Sequence, residues 1–335
     1  MQYEAEVLPG LKSFATAELR SIPNVQVHQT SAEDAIVFEG SHQPEVFNQL
    51  RTVVAVYRVL HFAVPRPKAL LGHQHFTALT AEIHRIRSAN PSGAFSTFRI
   101  SAAGSDSSVF RRLRAALAEH LHLTDSPDEA DLLLRVRPAL HRDGWEVLVR
   151  TTPRPLATRG YRLRDMRGAL NATIAAVMVR QAGWAERVCN IACGTATLLI
   201  EWAAVYPGTQ AIGVDTNREV LHMAAENAAA ASVRPALIEA DASALPFADR
   251  AFEVLLADLP WGQAVGTQAQ IDDLYPAVLA QAARIAKLGA RFMVITHAID
   301  LFERSLPGSG WHLRHETRVY QGGLHPRIYH LEREA

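Results

Sequence analysis

The stretch 188-VCNIACGTATLLIEW-202 changes character halfway along. Residues 187–191 read as a short buried strand, residues 192–194 as a turn carrying Gly194, and residues 195–205 as an apolar helix. A strand that passes into a helix through a glycine-bearing turn lets backbone N–H groups approach an anionic or zwitterionic ligand at the helix start. The same alternation then continues. Strands are expected at 210–214, 235–240, 252–258 and 290–296, with helices at 218–231 and 271–287. Such βαβα order implies a parallel sheet covered by helices on both faces, with a ligand crevice at the carboxyl ends of its strands. Two final strands, 311–321 and 327–332, flank Gly322-Gly323 and are expected to close one sheet edge as an antiparallel hairpin.

Upstream the texture is different. Residues 1–65 read as strand (3–7), helix (11–21), strands (25–30 and 35–39), helix (44–50) and strand (55–63), which is the ferredoxin-like order β-α-β-β-α-β. Pro65-Arg66-Pro67 breaks the pattern and marks a boundary. Residues 66–155 then read as a small mixed α+β unit: helix 75–88, strand 94–101, helix 107–122, and strands 131–138 and 146–152 joined through the hairpin signal Asp143-Gly144. The fold class expected for the chain is α/β, with an N-terminal α+β part and three domains at 1–65, 66–155 and 156–335.

Composition bounds the function. The 335 residues are 48% hydrophobic, 20% charged and 7% aromatic, an ordinary globular balance. No uninterrupted apolar run reaches about 18 residues, and the N-terminus carries Glu4 and Glu6 where a signal peptide would carry base, so a cytoplasmic protein is expected. Cys189 and Cys193 supply too few ligands for a structural zinc, and His73/His75 and His120/His122 have no companions at ligand spacing; no metal is expected. Formal charge is zero overall, yet residues 1–170 carry +4 and residues 171–335 carry −4. Nine arginines against three acids fall within 135–167. Arginine grips phosphate bidentately and stacks on bases, so this excess suits a nucleic-acid partner.

Three polar positions follow successive strands of the C-terminal part. Asn190, Ala192, Cys193, Gly194, Thr195, Ala196 and Thr197 form or flank the first turn; Asp215 ends the second strand; Asp241, followed by Ala242, ends the third. A carboxylate at the second tip can take the two hydroxyls of a ribose, and one at the third can accept from an exocyclic adenine amine. Together they point to an adenosine-bearing cofactor. A fourth tip, Asp258-Leu259-Pro260-Trp261, lies where the reactive end of such a cofactor would be. A carboxylate and a backbone carbonyl there could accept both hydrogens of an exocyclic amine, localise its lone pair and receive its proton, while Trp261 offers a face for base stacking.

Asp-Leu-Pro-Trp-Gly resembles the (N/D)-(P/L)-P-(Y/F/W) motif of amino-group methyltransferases that use S-adenosylmethionine. Residues 154–162 (RPLATRGYR) with 168–176 (GALNATIAA) are similar to the linker and first helix of THUMP-domain RNA guanine-N2 methyltransferases, and 319-VYQGGLHPRIYHLER-333 to their closing hairpin. The resemblance covers essentially the whole chain and implies an N-terminal ferredoxin-like unit, a THUMP RNA-binding domain and a Rossmann-fold methyltransferase domain. Its Asp-Leu-Pro-aromatic form is most similar to the branch that modifies guanosine 6 in the tRNA acceptor stem. By that resemblance Asn190 to Thr197 surround the methionine part of the cofactor, with Leu170 to Thr173 nearby. Asp215 takes its ribose, Asp241 and Ala242 its adenine edge, and Asp258, Leu259, Pro260 and Trp261 the target base, which must leave its stack before reaction. The THUMP domain would hold the 3′ end of the tRNA, and a monomer without membrane contact is expected.

Two residues depart from the family pattern. Asn190 stands where aspartate is usual and Ala196 where a second glycine is usual, so the turn loses a charge and gains a β-carbon expected against the ligand. Other readings are the same chemistry at guanosine 10 of tRNA or an rRNA guanine, and a non-catalytic RNA-binding protein.

Overall fold

The computed structural model describes residues 1–41, 44–140, 142–260, 268–320 and 323–334. The chain forms two compact units, Met1–Val7 with Lys12–Ala157, and Leu8–Leu11 with Thr158–Ala335.

In the first unit the elements run β1 (Gln2–Glu6), α1 (Lys12–Arg20), β2 (Gln26–Val27), β3 (Ala35–Glu39), α2 (Pro44–Phe47), β4 (Ala55–Phe62), a 3₁₀ turn at Pro67–Leu71, α3 (His73–Ser88), β5 (Thr97–Ala102), α4 (Ser108–Leu121), β6 (Thr124–Asp125), β7 (Leu132–Pro138) and β8 (Trp145–Arg150). The first six elements have the ferredoxin-like order read from the sequence. The strands make a single sheet ordered β2-β3-β1-β4-β8-β7-β5-β6. Its continuity comes from β4, which pairs with β1 on one side and, through Tyr57↔Arg150 to Phe62↔Trp145, with β8 on the other. On α4, Phe110, Leu113, Leu117 and Leu121 recur at helical spacing and bury against Leu79, Ile83 and Ile86 of α3.

The arginine-rich stretch serves this unit largely as structure. Arg135 pairs with Glu6 and Arg137 with both Glu4 and Glu146, while the buried Arg150 donates to the carbonyls of Thr152, Ala130, Asp131 and Pro153. These guanidinium groups are spent on partners inside the protein. By contrast Arg66, Lys68, Arg111 and Arg112 are exposed and have no side-chain partner among the described residues. Lys68 lies on the 3₁₀ turn, Arg66 directly before it, and Arg111 and Arg112 on α4, which packs against that turn.

The second unit is the expected α/β layer structure. Its elements are α5 (Ala172–Ala182), β9 (Arg187–Ile191), α6 (Thr197–Val205), β10 (Gln210–Asp215), α7 (Arg218–Ala230), β11 (Ala236–Glu239), β12 (Phe252–Asp258), α8 (Gln268–Ile285), β13 (Ala286–Thr296), α9 (Ile299–Ser305), β14 (Trp311–Arg318) and β15 (Arg327–Arg333). The sheet order is β11-β10-β9-β12-β13-β15-β14, parallel from β11 to β13, with β15 and β14 antiparallel at the edge. Val254, Leu255, Leu256 and Ala257 of β12 are fully buried, as a central parallel strand covered on both faces requires. Chain direction across the sheet reverses between β9 and β12, the switch point where ligand crevices open.

Helix α6 begins two residues later than the sequence pattern suggests. Ala196 takes the left-handed conformation (φ 65°), which cannot continue into a helix, so the first helical residue is Thr197. Gly213 in β10 is needed for close approach, since a β-carbon there would stand 2.6 Å from Leu199 Cδ1 and 2.9 Å from Cys193 Sγ. That proximity seats the Cys193-Gly194 turn directly on the neighbouring strand.

Candidate active site

A cavity of about 380 Å³ opens at the carboxyl ends of β9, β10, β11 and β12, within the range of small-molecule sites. The turn after β9 forms its floor. There the Cys193 N–H donates to the Val214 carbonyl (2.8 Å) and the Gly194 N–H to Asp215 Oδ2 (2.9 Å). Asp215 Oδ1 accepts from the Asn217 N–H (3.0 Å), so the carboxylate is fixed while part of it still lines the cavity. One strand further, the Ala240 N–H donates to the Asp215 carbonyl (3.1 Å), which brings Asp241 beside it. Ser243 donates to Asp241 through both its N–H and its hydroxyl, each at 2.8 Å, and these bonds hold that carboxyl below its usual range.

The N-terminus of α6 has no side-chain cap, and Thr197 and Leu198 of its first turn line the cavity. Its free N–H groups and the helix dipole suit a carboxylate. Asn190 occupies the switch point. Its amide donates to the carbonyls of Ile191 (3.2 Å) and Leu256 (3.1 Å), tying β9 to β12, whereas its buried Oδ1 has no partner among the described residues. An aspartate could not make those two donations, which gives the departure at this position a structural cause. The orphaned acceptor at the cavity wall fits an ammonium or a bridging water of a bound ligand.

The structure thus gathers Asn190, Ala192, Cys193, Gly194, Thr195, Thr197, Asp215, Asp241, Ala242, Asp258, Leu259 and Pro260 around one space. Two expected contributors are elsewhere. Ala196 is fully buried in a cluster with Cys193, Leu199, Leu221 and Ala224, so its β-carbon packs into the protein and not against the ligand space. Thr173 is fully buried and does not line the cavity, and its hydroxyl has no partner among the described residues. Trp261 lies outside the described residues. Both cysteines are free thiols, and burial raises the pKa of each. Among the described residues no group of three or more His, Cys, Asp and Glu could hold a metal ion. No described helix is long and apolar enough to cross a membrane.

One wall has little signature in composition or period: Met166, Arg167, Gly168 and Ala169, which lead to Leu170. This segment is bolted down at several points. Glu201, fully buried, accepts from Arg159 Nε and from the Tyr161 hydroxyl, both at 2.9 Å. Arg162 donates to the Leu170 carbonyl and to Thr197 Oγ1. Asn227 brackets the main chain of Arg164, accepting from its N–H (2.8 Å) and donating to its carbonyl (2.9 Å).

Asp258 ends β12 with part of its surface open to the cavity and the rest enclosed. Burial pushes its carboxyl up to about 7. In an unfolded chain an aspartate titrates near about 3.9. The folded protein therefore binds more protons than the unfolded chain between about pH 4 and 7, and the stability that the protonated group allows is lost as pH rises through this window. Asp258→Asn removes the effect. The melting temperature of the variant, relative to the parent, should be higher at pH 8 than at pH 5; an equal difference at the two pH values would show that the carboxyl ionises as it does in water.

With this geometry in view, the comparisons with known proteins agree on one group. Residues 159–327 match the family described as RMKL-like, methyltransferase domain (UPF0020). A tRNA (guanine(6)-N2)-methyltransferase of Methanocaldococcus jannaschii is 27% identical over 64% of this chain and 66% of its own length. One of the same name from Thermus thermophilus is 30% identical over 60% of each. The chain thus covers less than two thirds of either relative. The crystal structure of TrmN from Thermus thermophilus superimposes with a TM-score of 0.75 at 25% identity, over 99% of both chains.

Proposed function

The chain belongs to the RMKL-like methyltransferase domain family, and from that premise we propose that it is an S-adenosylmethionine-dependent methyltransferase forming N2-methylguanosine in tRNA, at guanosine 6 of the acceptor stem. One observation carries the reading: the carboxyl of Asp258 opens onto the same cavity as the Gly194 turn and the Asp215 carboxylate. The names of the archaeal and Thermus relatives support the choice of nucleotide.

Each residue has a role in this scheme. The uncapped start of α6 and the turn 192–195 hold a carboxylate, the Asn190 acceptor receives an ammonium, Asp215 takes the ribose hydroxyls and Asp241 with Ala242 the adenine edge. When bound, S-adenosylmethionine supplies an electrophilic methyl carbon on a sulfonium that leaves as a neutral thioether. Asp258 and a backbone carbonyl of the turn accept the two hydrogens of the guanine amine, which turns the nitrogen lone pair toward that carbon. As the nitrogen–carbon bond forms, Asp258 takes the surplus proton, a task suited to a carboxyl that titrates near neutrality.

We assign RNA holding to residues 66–155, read as a THUMP domain between a ferredoxin-like domain (1–65) and the methyltransferase domain (156–335). Arg66, Lys68, Arg111 and Arg112, exposed and without a side-chain partner among the described residues, support that assignment, because phosphate contact requires cations not already neutralised. A monomer in the cytoplasm follows from the same reading. The test is mass spectrometry of unmodified tRNA incubated with the protein and labelled S-adenosylmethionine. One labelled methyl is expected on the guanine at position 6, and removing the 3′-terminal nucleotides should lower turnover more than altering distant loops. Label at another nucleotide would move the specificity; no binding heat from the cofactor in calorimetry would leave an RNA-binding protein.

A further inference from the structure

Tyr275, in the middle of α8, is fully buried, with its ring edge-on to Phe302. Its hydroxyl lies 2.8 Å from the Pro260 carbonyl and 2.6 Å from Thr296 Oγ1, and Thr296 Oγ1 lies 3.0 Å from the Ala298 nitrogen. Only one arrangement of protons satisfies every atom. The Ala298 N–H donates to Thr296, the Thr296 hydroxyl to Tyr275, and the Tyr275 hydroxyl to Pro260. The chain of donors therefore ends on the turn that follows Asp258. On the near side of Pro260, the Leu259 N–H donates to the Ile295 carbonyl (3.0 Å). These two bonds, Leu259 to β13 and Pro260 to α8, hold the turn from both sides. Proline has no N–H of its own, so its carbonyl is the remaining main-chain handle.

Packing alone does not call for a hydroxyl here. Ile271, Val278, Leu279 and Ala282 of the same helix lie in the same apolar cluster, and phenylalanine would fill the same space. Burial pushes the Tyr275 hydroxyl up to about 12, with the charge of Asp258 adding to it, so it stays a donor across the working range.

We infer that Tyr275, aligned by Thr296, is a positioning residue that holds the Pro260 carbonyl and thereby sets the aim of Asp258; the inference rests on the proposed methyl transfer. Tyr275→Phe should lower kcat by about 10- to 100-fold, the scale of loss for a slightly misplaced reacting group, with the KM for tRNA and the cofactor Kd little changed. Thr296→Val should copy this loss and Thr296→Ser should restore turnover. The double variant Tyr275→Phe/Thr296→Val should be no slower than Tyr275→Phe alone, because both break one chain. Independently of turnover, hydrogen exchange at the Leu259 amide should accelerate by about tenfold in Tyr275→Phe and not in Thr296→Ser. Full kcat in Tyr275→Phe, or unchanged Leu259 exchange, overturns the inference. If the parent protein transfers no methyl to guanine, the functional reading fails and the Leu259 exchange alone decides whether the turn is pinned.

Discussion

Replacing Asp258 by alanine is expected to slow methyl transfer by about 10³-fold, within the usual range for a lost proton acceptor, while leaving cofactor affinity nearly intact. The separation follows from where the groups sit. On the proposed reading the carboxylate of Asp215, the β9 turn and the start of α6 hold the cofactor, whereas Asp258 arrives on β12 from the other side of the switch point. Asparagine at 258 could still accept one hydrogen of the amine but could take no proton, so Asp258→Asn should recover orientation without recovering rate. In the parent protein, kcat/KM should rise with pH and level off above an apparent pKa near 7, since only the ionised carboxyl can act. Single-turnover rates across pH, beside calorimetric titration of cofactor into Asp258→Ala, measure both. A flat profile together with parental turnover in the variant would remove Asp258 from the reaction.

Glu201→Ala is expected to be the most damaging change to the fold. Its carboxylate has no exposed surface and faces Arg159, whose side chain is only 9% exposed, and the Tyr161 hydroxyl donates to the same oxygen. Removing one partner of a buried pair typically costs about 3–5 kcal/mol, because the other charge stays desolvated. The cost should not stop at stability. Arg159 and Tyr161 begin the segment whose later residues, Met166 to Leu170, wall the cavity. Cofactor binding should therefore weaken in Glu201→Ala, although Glu201 is not among the residues that line the cavity. Urea unfolding and cofactor titration measure the two losses. A cost below about 1 kcal/mol would mean the pair adds little beyond what hydrophobic packing supplies. Glu201→Gln, which keeps an acceptor and the volume, should lie between the parent and alanine.

The parallel sheet was legible because β12 is apolar on both faces and because each strand tip ends in a turn-forming or acidic residue, signals contained within a few residues. What escaped reading depends on partners far away in the chain. The arginines of 135–150 look like a nucleic-acid surface until Glu4 and Glu6, some 130 residues earlier, are seen to neutralise two of them. The start of α6 is not legible in the sequence because a left-handed alanine leaves no mark in composition, and the same backbone turn accompanies an Ala196 β-carbon that packs into the protein. Tyr275 reads simply as one more apolar position of an amphipathic helix; its hydroxyl matters only because β13 delivers Thr296 to it. The pairing of β4 with β8 joins segments more than 80 residues apart, and no local pattern announces it.

That pairing governs how the protein can be taken apart. A cut at Pro65-Arg66-Pro67, where the sequence suggests a seam, would strip β4 of one neighbour and β8 of the other, leaving each fragment with a raw row of amide and carbonyl groups eager to recruit foreign strands. The strands of the first unit thus form one indivisible sheet: a transplant of this unit must carry both sides of the β4–β8 pairing together, and a fragment cut at the apparent seam should aggregate.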